Sequence, residues 1–174
     1  MRRDLNGYRL DQLLGVGGTA EVWSAWPDAP DAEAVAIKRR RAGVGAASDG
    51  SLLAEAELLR AVRHPHLVPV LDVVADPPGV ALVVPLLAGG SLRDLLDERG
   101  TLAAGEVVAV LGPIAAAVAA LHRHGVSHGD LKPENVLLDA GGWPVLGDVG
   151  TAQPLGTPAG TARHATPAYL DPAV

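Results

Sequence analysis

Apolar positions alternate loosely from Tyr8 to Leu14 and again from Glu21 to Trp26. The two runs read as antiparallel strands joined by a Gly-rich turn. Pro27 to Asp31 supplies the next turn. Val35-Ala-Ile-Lys38 follows as a strand that buries Val35 and Ile37. From Arg39 to Ala47 the chain turns basic and then Gly/Ala-rich, which reads as a loop with a solvated Arg run. Leu52, Leu59 and Val62, with Leu58 alongside, give one apolar helix face over 52–62, and Ser48, Asp49 and Ser51 stand ready to cap it. Leu67 to Val74 and Val80 to Val84 read as two more strands around the turn Asp76-Pro-Pro-Gly79. Gly89-Gly90 then breaks the pattern, and Ser91 caps a short helix, Leu92 to Glu98. A long Ala-rich helix runs from Thr101 to His124, contains Pro113 and stops at Gly125. Beyond it lies a charged, Pro-containing loop from His128, leading into a short apolar strand at Leu137-Leu138.

Composition narrows the picture. The chain has 174 residues, enough for a real core, and 48% are hydrophobic. No Phe is present, so Leu, Val and Ala must fill that core. A net charge of -6 argues against nucleic acid as a partner. The lack of Cys excludes disulfides, thiolate catalysis and Cys-based zinc sites, and suits a reducing, cytoplasmic location. Arg2 and Arg3 have no apolar run behind them, so the start does not read as a signal peptide. The apolar stretch from Val107 to Leu121 is short of the ~20 residues a membrane span needs and carries Gly112-Pro113. It reads as a soluble helix, with no membrane segment expected. Twelve Arg are accompanied by only two Lys, Lys38 and Lys132, and there are only two Asn, Asn6 and Asn135. Residue types that the chain otherwise avoids therefore mark particular spots.

Those spots fall in motifs. Gly15-Val-Gly-Gly-Thr-Ala-Glu-Val22 brings small residues together where a backbone can approach phosphates with its amides. No Gly-Lys-Ser/Thr follows, so it is not a Walker loop, and no helix follows directly, as a Rossmann turn would require. Taken alone, it is also the signature of an ordinary hairpin. Lys38 ends the strand Val35-Ala-Ile-Lys38, where a solvated side chain is the usual outcome. His128-Gly-Asp-Leu-Lys-Pro-Glu-Asn-Val-Leu-Leu138 lets Asp130, Lys132 and Asn135 converge on one small charged object. His122, His124 and His128 invite a metal reading. Gly125 interrupts the helix between them and no Asp, Glu or Cys completes a zinc spacing, so a packed His128 is the better expectation.

Together these segments resemble the protein kinases, in particular the bacterial serine/threonine class, from Tyr8 onward. The resemblance implies an α+β, two-lobed kinase-like fold. Residues 1–87 would form an N-lobe of antiparallel sheet plus one helix (the family's αC), and 88–174 an incomplete, mostly helical C-lobe. It implies that Gly15, Val16, Gly17 and Gly18 cover the phosphates of ATP, with Ala20 where the family has a third Gly. Lys38 would hold the α and β phosphates and pair with Glu55. Glu57 competes for that pairing but lies about 200° away on a helix, so both cannot face Lys38. Val22, Ala36 and Leu137 would enclose the adenine. Val84 would be the gatekeeper, Leu86 and Leu87 would belong to the hinge, and Ser91 would face the ribose, unless it serves only as a helix cap. Asp130 would take or orient the proton of the substrate hydroxyl, Lys132 would reach the γ-phosphate, and Thr166 would contact both. Asn135 and Asp148 would hold Mg²⁺. The implied activity is ATP-dependent phosphoryl transfer to Ser/Thr hydroxyls of protein substrates. The sequence leaves the oligomeric state open.

The departures from the family pattern have consequences of their own. Gly129 replaces the Arg of His-Arg-Asp, which implies activity without a phosphorylated activation segment. Gly147-Asp148-Val149-Gly150 carries Val where the family has Phe, so the stack expected between Leu59 and His128 is less filled. Thr151 to Ala165 reads as a mobile activation segment with Thr151, Thr157 and Thr161 as candidate phosphate acceptors. Ala173 stands where a Glu is expected. These features keep a non-catalytic, nucleotide-binding regulatory module open as the alternative. A small-molecule phosphotransferase shares His-Gly-Asp, but Lys132 and Thr166 argue against it.

Overall fold

The computed structural model describes residues 4–41, 43, 47–76 and 79–155. Thr157, Thr161, Thr166 and Ala173 lie outside the described residues. The chain forms two compact units, one within Met1–Arg60 and Pro69–Leu86, the other within Ala61–Val68 and Leu87–Val174.

The first unit is a six-stranded antiparallel sheet with one helix. Its strands are β1 (Asp4–Leu5), β2 (Tyr8–Val16), β3 (Ala20–Pro27), β4 (Val35–Arg40), β5 (Asp72–Asp76) and β6 (Gly79–Pro85), in the spatial order β1-β2-β3-β4-β6-β5. Opposed residues share a face, so register decides what each face carries. Trp23 opposes Ile37 and Ile37 opposes Val83, while Val22 opposes Lys38 and Lys38 opposes Leu82. One face gathers Ala25, Val35, Ile37, Ala81 and Val83 with Leu5 into a core, with Tyr8, Leu10 and Val74 packed against it. The other presents Val22, Ser24, Ala36, Lys38, Leu82 and Val84 by the same alternation.

Helix α1 spans Ala47–Ala61. It starts earlier than the expected Leu52, so Asp49 sits in its first turn and its carboxylate meets Arg40 at 3.2 Å. Arg39 makes a two-pronged ion pair with Asp76, 2.7 Å at each prong. The basic run after Lys38 is therefore not a solvated face; its first two arginines are tied down because β4 continues through Arg40.

The second unit is built on helices α2 (Leu92–Arg99) and α3 (Ala104–Arg123). Three small strand pieces follow: β7 (Val126–Ser127), β8 (Val136–Leu138) and β9 (Pro144–Leu146), joined later by β10 (Gln153–Pro154). Residues 67–71, read from sequence as strand, are not one. Val68 donates from its amide to the Leu146 carbonyl, and Leu146 returns a bond to His66. These bonds group 61–68, which precede the 87/88 division drawn from the sequence, with the second unit.

Helix α3 runs for 20 residues, longer than the 107–121 stretch. By length and composition it is the one helix among the described residues able to cross a membrane. Val110, Ile114, Ala117, Ala120 and Leu121 are its buried positions, and it packs on β7 and β9. Such a stripe, with Val108 and Leu111 exposed on other sides, is what a helix laid along a core shows. His124 and Gly125 end it, Gly125 at a φ of 75°.

Candidate active site

The residues singled out by sequence divide between the two units. Gly15, Val16, Gly17, Gly18, Val22, Ala36, Lys38, Glu55, Val84 and Leu86 belong to the first; Leu87, Ser91, Asp130, Lys132, Asn135, Leu137 and Asp148 belong to the second.

In the first unit, β2 ends at Val16 and β3 begins at Ala20, with Gly17 donating to the Ala20 carbonyl at 2.7 Å across the tip. The turn is thus a tight hairpin whose glycines are exposed. Register puts Val22 beside Lys38 and Ala36 beside Val84, so all four side chains lie on one sheet face. Lys38 Nζ reaches Glu55 Oε2 at 2.6 Å. Glu55 is held on the buried side of α1 with Leu52, Ala56 and Leu59, whereas Glu57 is exposed. The carboxylate is only 3% exposed, the Lys38 side chain 17%, so the pair is largely withdrawn from water.

The second unit holds the charged loop. Lys132 Nζ lies 2.6 Å from Asp130 Oδ2. Asn135, on the 3₁₀ turn Pro133–Asn135, donates from Nδ2 to the Asp130 carbonyl at 2.7 Å and to Oδ2 at 3.3 Å. A carbonyl oxygen can only accept, so Nδ2 must face it and Asn135 Oδ1 is turned away, engaged by no donor among the described residues. Asp130, Asn135 and His128 are all buried. The His128 ring is fixed from both sides: Nε2 donates to the Gly147 carbonyl at 3.0 Å and Nδ1 accepts from the Asp130 amide at 3.3 Å. That pair of bonds requires a neutral ring with its proton on Nε2. His128 is thus a packed support of the loop, and among the described residues no cluster of three His, Asp or Glu could hold a metal.

The hairpin of β8 and β9 brings the metal-type residues to one end. Val136 opposes Leu146, and the Gly147 amide donates to the Asn135 carbonyl at 2.9 Å. Asp148 follows at once, exposed, with φ 54° and ψ 62°. That left-handed conformation is uncommon for a residue with a Cβ, although Asp tolerates it better than most. Its neighbour Val149 is 1% exposed, so the smaller side chain is fully buried. One amide and one carboxylate fit a magnesium ion, which keeps waters and takes most remaining ligands from phosphate oxygens rather than from an all-protein cage.

Ser91 is an N-cap in fact. Its hydroxyl accepts from the Asp94 amide at 3.1 Å and its amide donates to Asp94 Oδ2 at 2.8 Å, a full capping box, and the hydroxyl also donates to Oδ2 at 2.7 Å. The Ser91 hydroxyl, and after it the Ser91 amide, hold the Asp94 carboxyl below its ordinary range. Gly89 and Gly90 are tied to β8, Gly89 donating to Leu138 and Leu138 donating to Gly90. A Cβ at Gly89 would sit 2.5 Å from the Asp139 carbonyl, so no side chain fits there. Burial first, then the His66 and Arg123 charges, keep the His64 ring below its usual range.

Sequence reasoning takes Thr151 only as a phosphate acceptor. In the structure its hydroxyl donates to the His128 carbonyl at 3.0 Å. The signal in the chain is Gly129, which has φ +83° and whose Cβ would fall 2.4 Å from the Thr151 carbonyl oxygen. The Arg that the family pattern calls for has no room on this backbone.

Comparison with known proteins gives the family of the chain. The model of the protein kinase domain matches residues 8–174. The serine/threonine-protein kinase PkaB of Streptomyces coelicolor is 40% identical across 96% of this chain and 42% of its own length. The human serine/threonine-protein kinase ULK3 is 36% identical over 86% of the chain and 32% of its own length. PknD of Mycobacterium tuberculosis is 35% identical over 87% of the chain and 23% of its length. The chain therefore spans less than half of these relatives. With the family model covering nearly the whole chain, and Lys38–Glu55 and the Asp130 loop formed as described, the chain belongs to the protein kinase domain family.

Proposed function

We propose that this chain carries out ATP- and Mg²⁺-dependent phosphoryl transfer to Ser or Thr hydroxyls of protein substrates. The observation that carries the reading is the buried Asp130 carboxylate, ion-paired to Lys132 and braced through its own main chain by Asn135 and His128. Phosphoryl transfer demands alignment and charge compensation more than covalent chemistry. Asp130 Oδ2 is the group to accept the hydroxyl proton. Lys132, already within 2.6 Å, balances negative charge on the phosphoryl oxygens. Lys38, aligned by Glu55, steadies the α and β phosphates, with Gly15, Val16, Gly17 and Gly18 offering backbone amides beside them. Val22, Ala36, Val84, Leu86, Leu87 and Leu137 supply apolar surface for the adenine.

Asn135 Oδ1 and the Asp148 carboxylate are the groups to hold magnesium, which when bound neutralises charge on the phosphates. Ser91 can face a ribose only as an acceptor, since its one proton goes to Asp94 Oδ2 and one lone pair takes the Asp94 amide. Thr166, outside the described residues, stays in the proposal through its motif alone. A cytoplasmic setting is part of it too, supported by a chain without Cys.

Mg-ATP tests the nucleotide half directly. At a hundredfold excess over Kd it should add about 2.7 kcal/mol of stability and raise the melting temperature about 5–10 °C. ATP with a chelator should give less. No shift with Mg-ATP would refute nucleotide binding.

A further inference from the structure

We propose that Thr151 is a positioning residue that sets the Asp130 peptide from across the loop, and that Gly129 exists to admit it. The proposal rests on the phosphoryl-transfer reading above. Two segments run side by side in the second unit, 125–130 and 147–155. Pro154 opposes Val126 and Gln153 opposes Ser127, and the Leu155 amide donates to the Gly125 carbonyl at 2.8 Å. At the other end His128 Nε2 donates to Gly147. Between these ties the two backbones meet at Thr151. Its hydroxyl donates to the His128 carbonyl at 3.0 Å, and its carbonyl oxygen occupies the space where residue 129 would carry a Cβ.

Gly129 answers that geometry twice. Its φ of +83° is one that L side chains rarely adopt, and the contact of 2.4 Å is with backbone, which cannot swing aside. Gly129 is thereby held between two fixed peptides, the His128 carbonyl before it bound by Thr151 and the Asp130 amide after it bound to His128 Nδ1. Where a family pattern places a long cation able to reach a distant anion, this chain substitutes direct backbone-on-backbone contact plus one hydroxyl. The same hydroxyl cannot serve as a phosphate acceptor without leaving His128, so modification at Thr151 would release the loop rather than order it.

Two substitutions separate the hydroxyl from the shape. Thr151→Val keeps the branched outline and removes the donor; Thr151→Ser keeps the donor. With the whole chain, ATP and a Ser/Thr peptide mixture, Thr151→Val should lower kcat about tenfold while leaving KM for ATP within about twofold, because one hydrogen bond that aligns the base is lost and the nucleotide contacts are not. Thr151→Ser should restore kcat to within about twofold of the parent. Equal kcat for Thr151→Val and the parent, or equal impairment in both variants, overturns the proposal. Amide hydrogen exchange over 129–131 reads the same contact without activity: Thr151→Val should exchange about tenfold faster there, and Thr151→Ser should not. Unchanged exchange in Thr151→Val overturns the positioning role, whereas faster exchange in a chain that transfers no phosphate upholds it and refutes the phosphoryl-transfer reading alone.

Discussion

The Asp130→Asn variant is expected to lose about 10²–10⁴-fold in the rate of phosphoryl transfer while melting within about 4 °C of the parent. The separation of the two effects follows from which atoms hold the loop. Asn135 Nδ2 binds the Asp130 carbonyl at 2.7 Å, and His128 Nδ1 receives the Asp130 amide at 3.3 Å. Both partners are main-chain atoms that an Asn retains. What the substitution removes is the carboxylate, and with it the ion pair to Lys132. The Lys132 side chain is 22% exposed, so it can turn to water at a cost typical of partly exposed pairs, about 0–1 kcal/mol. The proton acceptor goes and the scaffold stays. Rate measurements on peptide substrates, paired with thermal melts, check this. Undiminished transfer in Asp130→Asn would remove Asp130 from the chemistry.

Lys38→Met is expected to be the costliest change to folding, about 3–5 kcal/mol by denaturant unfolding. The reason is the asymmetry of the pair. The Glu55 side chain is 3% exposed, so taking away the ammonium leaves a carboxylate in a place where water scarcely reaches. The reverse substitution, Glu55→Gln, leaves Lys38 with 17% exposure and a stem long enough to move outward, so about 1.5–3 kcal/mol is expected. The order of the two is the test: Glu55→Gln more destabilising than Lys38→Met would show that burial of the carboxylate does not control this contact.

Much of this architecture could be read from the chain. Val35-Ala-Ile-Lys38 alternates as a strand must, and β4 places Ile37 in the core and Lys38 on the other face. Helical angle forbids Glu55 and Glu57 from both facing Lys38, the family spacing favours Glu55, and Glu55 is the one paired. The short spacing of Asp130, Lys132 and Asn135 makes their convergence a local matter, and local contacts survive in sequence pattern. Contacts between distant segments do not. Arg39 and Arg40 look like a solvated run because nothing nearby in sequence announces Asp76 or Asp49. Leu67 and Val68 carry strand-type apolar residues, yet they bond Leu146, far along the chain, instead of extending the sheet. The start of α1 is hidden because Ser48, Asp49 and Ser51 read as caps rather than as the first turn of a helix beginning at Ala47. Ser91 reads as either cap or ligand contact from its sequence; the cap is formed, with Asp94 using its hydroxyl in both directions. Gly129 reads as a missing Arg; only the Thr151 carbonyl shows that no side chain could stand there.

The two groups of residues also differ in how firmly they are specified. The Lys38–Glu55 pair depends on sheet register and on one buried helix face, both supported by many apolar residues. The Asp130 loop depends on a few polar bonds to His128, Asn135 and Thr151, each of which can be removed singly. Catalytic tuning in this chain should therefore be most sensitive in the second unit, and stability in the first.

The most direct test of the account is transfer of the γ-phosphate from ATP to a mixture of Ser- and Thr-containing peptides by the chain itself, with and without magnesium. The account predicts magnesium-dependent phosphoserine or phosphothreonine from the parent chain. Mg-ATP binding with no phosphopeptide would contradict it and assign the chain to the nucleotide-binding regulatory class instead.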